Sequence, residues 1–397
     1  MVFVGPQASG KSTVSKLLYF FDELWNEIVF PKDEIFRLFA SGKSDKIDYD
    51  KFVSYIESWI SKTFDDIFGN LDNNFSKSGS VAFEYDTLNS LSLSFSDKLQ
   101  IRFSENLKNE ISVKAKSAIS KASSHGISNA ENYLNSLDNE LTETNREILF
   151  IPTGRSIATV IANQLHNLEF KHVDHLTRSF VKKIINARLS FNKGVNAFID
   201  DNKTVDGKYN TALLHKFIED IVKAEYVFEF ENEKLLLNNG KAVSLNFASS
   251  GQQEALWIVL FCLEFILKNK KANLYIEEPE AHLYPESQKN MMDLIAMFFN
   301  SSNNRVFITT HSPYILGSIN NLLYADSVGN KHPVEVNQRI RKEFWLNHHN
   351  VAAYLVNDGL LTDIMDKDLH LIQNEVIDSI AGKINEDFDA LFDLENN

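Results

Sequence analysis

The chain has 397 residues, 44% of them hydrophobic, enough for a large core in one elaborated domain or two lobes. Its 40 basic residues against 54 acidic ones leave a net charge of −14, which argues against broad nonspecific binding to nucleic acid but leaves room for a local basic groove. The single cysteine, Cys262, excludes a disulfide framework and reads as core packing in a reducing cytosol.

The amino end, Met1-Val-Phe-Val4, lacks a basic start and runs straight into a glycine-rich loop, and the longest apolar stretch, residues 255–267, is too short to cross a bilayer and contains Glu264. The expectation is a soluble, cytoplasmic protein with no membrane partner.

In chain order, residues 2–4 predict a short apolar strand that delivers Gly5. After a glycine-rich loop, Val14, Leu17, Leu18, Phe21, Leu24 and Trp25 recur at helical spacing, so residues 12–26 predict an amphipathic helix. Leu91, Leu93 and Phe95, then Leu99, Ile101 and Phe103, alternate with polar neighbours as antiparallel strands do. Residues 1–103 therefore predict a first segment made of strand, glycine loop, helix and antiparallel strands.

Residues 104–147 are polar, with a weak apolar stripe at Leu134, Leu137 and Leu141, and predict a helical insertion. Within 148–245, a buried strand over 148–151 stops at Pro152, a helical lobe fills 156–222, and a hairpin over 227–245 turns at Asn238-Asn-Gly240. Residues 246–326 alternate helix and strand, as a parallel sheet with crossovers would. Residues 327–397 predict a helical, acidic tail.

Four motifs carry chemistry. Gly5, Pro6, Gln7, Ala8, Ser9, Gly10, Lys11, Ser12 and Thr13 satisfy the phosphate-loop pattern: the glycines let backbone amides curl around phosphate oxygens at a helix N-terminus. Lys11 would reach the β- and γ-phosphates of ATP, and Ser12 would ligate Mg²⁺. Residues 273–276 lead an apolar strand into Glu277-Glu-Pro-Glu280, where Glu277 is the candidate metal ligand and Glu278 the candidate general base. A second strand, over 306–310, ends at His311, a candidate partner of the γ-phosphate and the attacking water. Ser249, Ser250, Gly251 and Gln252 open an apolar helix, where a hydroxyl, an amide and the helix terminus make an anion site.

As an ordered set, these motifs in residues 1–14 and 245–325 resemble bacterial ABC-type P-loop ATPases of the OLD and SMC-like branch. Within that branch they look like the stand-alone ATPase subunits of phage-defence systems such as Septu, PARIS and retron-associated modules. The resemblance implies an α/β P-loop NTPase fold of ABC-ATPase type: a mixed central sheet, an antiparallel β subdomain and an inserted helical lobe. It also implies a homodimer in which two heads sandwich ATP, with Ser250 of one protomer facing the nucleotide held by Lys11 of the other. Glu280, Ala281 and His282 would then lie at the dimer seam.

The expected role is an ATP-hydrolysing switch for a separate effector, a nuclease or toxin, in antiviral defence. The alternative is a DNA-clamping, SMC-like repair ATPase. Three departures from the family pattern stand out. The strands that often hold adenine have no counterpart in the four residues before Gly5. The family's glutamine-loop position reads Pro152-Thr-Gly-Arg155, where Arg155 is either a substitute for the glutamine or a structural residue. Asp366-Lys-Asp368, set in helix-like sequence, reads as solvated rather than metal-binding, so the chain is expected to cut nothing by itself.

Overall fold

The computed structural model describes residues 1–29, 49–69, 79–95, 99–113, 146–163, 173–202, 210–229 and 232–373, with short helical pieces at 386, 388–389 and 391–392. These residues divide into two compact units, one formed by 1–15 with 149–397, the other by 16–148.

Strand β1 (Val2–Val4) is buried at every position, and helix α1 (Lys11–Val29) begins at the loop lysine. The unit of residues 16–148 contains the rest of α1, α2 (Tyr49–Phe68), β2 (Gly79–Glu84), β3 (Ser90–Phe95), β4 (Leu99–Phe103) and a helix α3 over residues 105–113. The three strands form an antiparallel sheet in the order β2-β3-β4, as the alternation predicts. Leu91, Leu93 and Phe95 point to one face and bury against Phe20, Phe21, Leu24, Ile56, Ile60 and Phe64. Phe20 meets Phe64 edge-on at 5.7 Å, and Phe21 stacks on Phe83 at 4.6 Å. Each such side chain taken fully out of water contributes about 1.5–3 kcal/mol. Of the predicted insertion, residues 114–145, with Leu134, Leu137 and Leu141, lie outside the described residues.

The other unit is built on a six-stranded sheet. Its elements follow as β5 (Arg146–Ile151), α4 (Arg155–Asn163), α5 (His175–Arg188), α6 (Val195–Asp201) and α7 (Thr211–Phe217), which runs on into a π-helical turn, Ile218–Val222. A small antiparallel sheet, β6 (Ala224–Glu229), β7 (Asn232–Leu237) and β8 (Ala242–Ser244), carries the hairpin at Asn238-Asn-Gly240. Then come α8 (Ser250–Leu267), β9 (Lys271–Glu277), α9 (Pro285–Ser301), β10 (Arg305–Thr310), α10 (Pro313–Gly329), α11 (Pro333–Arg339), β11 (Ala353–Asn357) and β12 (Leu360–Asp363). The central sheet runs β12-β11-β1-β10-β9-β5; β11, β1, β10 and β9 are parallel, and β12 is antiparallel.

Helix α8 is apolar all round and every residue from Gln253 to Leu267 is buried, which marks it as the core helix of this unit. Among the described helices it is the one long and apolar enough to cross a membrane, and most of it lies inside the protein. Trp257, fully buried, donates its indole N–H to Thr159 Oγ1 at 3.1 Å and so ties α8 to α4. Cys262 is buried in the same helix, as the sequence predicts.

The tail differs from its prediction. Rather than continuing as helix, residues 353–363 form β11 and β12, and β11 lies directly beside β1. The apolar run Ala353-Tyr-Leu-Val356 pairs because Asp358 and Gly359 both take positive φ, +48° and +76°, and turn the chain into a hairpin. Asp366 and Asp368 sit in a turn, not a helix: Asp366 Oδ1 accepts from the amides of Asp368 at 2.8 Å and Leu369 at 2.7 Å.

Candidate functional site

The parallel pairing brings the predicted residues to one edge. Thr309 pairs with Glu277 and Thr310 with Val4, so β1, β9 and β10 finish level with one another. Gly5, Glu278 and His311 are each the next residue beyond a strand end. Gly5 lies far along the chain from Glu278 and His311, yet the three motifs meet because strand register, not chain distance, sets where they emerge.

The phosphate loop joins β1 to α1. Gly5 has φ +151° and Gly10 φ +103°, and Ala8 between them has φ +58°. A side chain on Gly5 would run into the carbonyl oxygen of Val356, so β11 closes directly against the loop and only glycine fits there. Lys11 is buried, and its ammonium donates to Gly5 O at 2.9 Å and Pro6 O at 2.7 Å. Burial pulls its pKa down, opposed by the carboxylates of Glu278 and Glu280. Ser12 and Thr13 are exposed on the first turn of α1, and Pro6, Gln7 and Ala8 are exposed along the loop. The Ser9 hydroxyl is buried without a hydrogen-bond partner among the described residues.

The glutamates divide by environment. Glu277 is buried; its Oε2 accepts from the Thr153 amide at 3.3 Å, and its Oε1 has no partner among the described residues. An orphaned, buried carboxylate oxygen is costly unless a cation or water completes it, and oxygen ligands of this kind suit Mg²⁺. Glu278 has φ +44°, a left-handed conformation that costs on the order of 1–3 kcal/mol and persists where neighbours enforce it. Here the enforcing bonds are Glu278 N to Thr309 O at 2.9 Å, and Ala281 N and Arg155 Nη2 to Glu278 O, both at 3.0 Å. Its carboxylate stays partly exposed, with Oε1 3.5 Å from His311 Nε2.

Glu280 turns inward: its Oε1 accepts from Thr310 Oγ1 at 2.7 Å and the His311 amide at 2.8 Å. Burial raises its pKa, the two hydrogen bonds lower it, and Glu278 raises it further. Glu280 thus orients the histidine turn of its own protomer. His282, with φ +59°, is the exposed member of the predicted seam.

Helix α8 opens with a capping box: Ser249 Oγ accepts from Gln252 N at 3.4 Å, and Gln252 Oε1 accepts from Ser249 N at 3.2 Å. Gln252 Nε2 also donates to Val222 O at 3.0 Å. The cap therefore engages Ser249 and Gln252, while Ser250 stands exposed on the first turn. A Cβ on Gly251 would lie 2.7 Å from His282 O, so α8 and the loop after Glu278 pack backbone to backbone.

Arg155, the candidate substitute for a glutamine, has a different place. Fully buried, it donates Nε to Glu254 O at 2.7 Å, and Nη1 to Pro152 O at 3.0 Å and Glu277 O at 2.7 Å, besides the Nη2 bond to Glu278 O. Glu254 Oε2 lies 3.1 Å from Arg155 Nε, and its carboxylate also accepts the Arg155 and Ser156 amides at the start of α4, both at 3.1 Å. A guanidinium so occupied by protein carbonyls is a brace, not a group held ready for nucleotide.

Sequence reasoning missed Glu254, Thr310 and Val356. A carboxylate near the start of an otherwise apolar helix, as at Glu254, is the signal that could have found it. Val356 was hidden because the Asp358-Gly359 turn after its apolar run went unread.

A phosphate loop, paired glutamates and a histidine at the carboxyl edge of a mixed sheet define an α/β P-loop NTPase. Residues 1–316 match the model of the AAA ATPase domain, and the chain belongs to that family: it is an AAA-type ATPase. Strands β11 and β12 lie beyond the matched residues. Among solved structures the chain is similar to the Smc head domain of Pyrococcus furiosus with an extended coiled coil, bound to the C-terminal domain of ScpA. That similarity is 11% in identity, with a TM-score of 0.37, over 97% of this chain and 92% of the other. No curated protein matches the chain.

Proposed function

We propose that the protein hydrolyses ATP at the interface of a homodimer and so acts as a nucleotide-driven switch for a separate effector, a nuclease or toxin, in antiphage defence. The observation that carries the catalytic part is the level ending of β1, β9 and β10, which gathers Lys11, Glu277, Glu278 and His311 at one edge. The effector and the defence role rest on the resemblance of the ordered motifs.

In this reading the loop from Gly5 to Thr13 wraps the triphosphate and Lys11 presents a positive charge to its β- and γ-oxygens. Ser12 and Glu277 would hold Mg²⁺, with the unpartnered Glu277 Oε1 as its natural anchor; when bound, the ion would neutralise phosphate charge. Glu278 takes the proton from the attacking water, and His311, facing it at 3.5 Å, holds the water or the γ-phosphate. The exposed Ser250 hydroxyl and the N-terminus of α8 cap the nucleotide of a second copy.

Phe247, Tyr284 and Tyr314 flank these motifs and are 84%, 75% and 55% exposed, large aromatic side chains of the kind enriched at protein interfaces. The decisive test is phosphate release against protein concentration, with Glu278→Gln for comparison. Turnover per protomer should fall on dilution, and Glu278→Gln should lower it by about 10²–10³-fold while ATP holds the variant as a dimer on size exclusion. Equal turnover by fully dissociated protomers refutes the sandwich.

A further inference from the structure

The helix that would cap a partner's nucleotide is fastened, in the same protomer, to the turn that carries Glu278. One fastening is Arg155. Its guanidinium joins Glu254, one turn into α8 from Ser250, to the carbonyl oxygens of Glu277 and Glu278. The other is the close approach of Gly251 to His282 O, at the far end of the same loop. The loop from Glu277 to His282 is therefore held at both ends by the first two turns of α8. Glu278, strained at φ +44°, lies between them, and Arg155 is one of the groups keeping it there.

We infer that Arg155 is a positioning residue that couples the two ATP sites of the dimer. Docking of Ser250 on the partner's nucleotide fixes the start of α8; Arg155 passes that constraint to the backbone of Glu278 in its own protomer, which aligns its carboxylate for attack. Each site then turns over fully only when the opposite site is filled. The inference rests on the sandwich reading above. Among the described residues no hydrogen bond or ion pair joins the Arg155 side chain to the phosphate loop, so coupling should be separable from the binding of nucleotide to that loop.

The test compares wild type, Arg155→Lys and Glu254→Gln. Lysine keeps the charge, but its single ammonium carries three donors at one point and cannot serve the four carbonyls that the planar guanidinium reaches; glutamine keeps the shape of Glu254 and an acceptor for the α4 amides but removes the ionic partner. Three quantities are read: the dissociation constant for a fluorescent ATP analogue, ATP-dependent dimerisation in a Glu278→Gln background, and the Hill coefficient and kcat of ATP hydrolysis. The expected result for Arg155→Lys is nucleotide affinity within about 2-fold of wild type and retained dimerisation. Its kcat falls about 5–150-fold, and its Hill coefficient drops from near 2 towards about 1. Glu254→Gln shows the same changes in smaller measure.

Wild-type cooperativity in both variants overturns the coupling role and leaves the sandwich intact. Loss of nucleotide binding together with a lowered melting temperature in both variants also overturns it, because Arg155 then serves stability alone. A wild-type protein that stays monomeric in ATP removes the sandwich reading and this inference with it.

Discussion

The two compact units place their buried polar groups differently. In residues 16–148 the described core is almost wholly apolar, with Phe20, Phe21, Phe64, Leu91 and Leu93 fully buried and Thr63 and Asn89 as its buried polar residues. In the other unit Arg155, Glu254, Glu277, Thr309, Thr310 and Ser312 are all buried within a few residues of the sheet edge or the start of α8. An apolar core asks only for matched volume, whereas a buried polar lattice asks for every partner, since each lost one leaves a desolvated group behind. The comparison separates a unit that is packed from a unit that is aimed.

The largest effects should come from a matched pair of truncations. Phe64→Ala opens a cavity and Arg155→Ala leaves Glu254 buried without its cation; each should cost about 3–5 kcal/mol. Denaturant unfolding measures both losses. Phe64→Ala should leave the nucleotide dissociation constant unchanged, while Arg155→Ala should also depress kcat. A Phe64→Ala protein that loses ATP affinity would dissolve the contrast between the units.

Next in size is Lys11→Ala, which removes a charge-assisted contact to phosphate worth about 1.5–3 kcal/mol. Titration with a fluorescent nucleotide should show affinity about 10–100-fold weaker, and unchanged affinity would mean that the triphosphate lies elsewhere. His311→Ala should lower kcat by about 10-fold or more with little change in nucleotide binding. A variant with wild-type kcat would make the histidine a purely structural end to β10.

The smallest effect concerns Glu280, whose carboxyl titrates above its ordinary value in the fold. Between the ordinary value and the raised one, the native protein keeps a proton that the unfolded chain has released. Stability therefore falls as pH rises through that window and recovers as pH drops back through it. Glu280→Gln keeps an acceptor for Thr310 and His311 but cannot titrate, so urea midpoints from about pH 4 to pH 8 should lose that slope. A variant that follows the wild-type profile would assign the slope to other groups.

Much of this was readable in the linear chain. The glycines of the phosphate loop, the alternation of β3 and β4, and the apolar strands ending in Glu277 and Thr310 are local patterns with local physical causes. The tail was misread because β11 owes its strand state to β1, some 350 residues away, and only a two-residue turn announced it. Arg155 could not be decided for a related reason: its position after β5 leaves both a substitute for a missing glutamine and a structural arginine open, and its burial against protein carbonyls assigns the second.

The residue order alone determined which chemical groups exist and which strand ends carry them, because hydrophobic period and glycine placement act over a few residues. Tertiary structure alone decided which groups share a site, that Val356 closes the loop at Gly5, and that Glu254 and Glu278 hang on one guanidinium. Those outcomes depend on strand register and on the cost of an unpaired buried charge, and both are settled only when distant segments pack together.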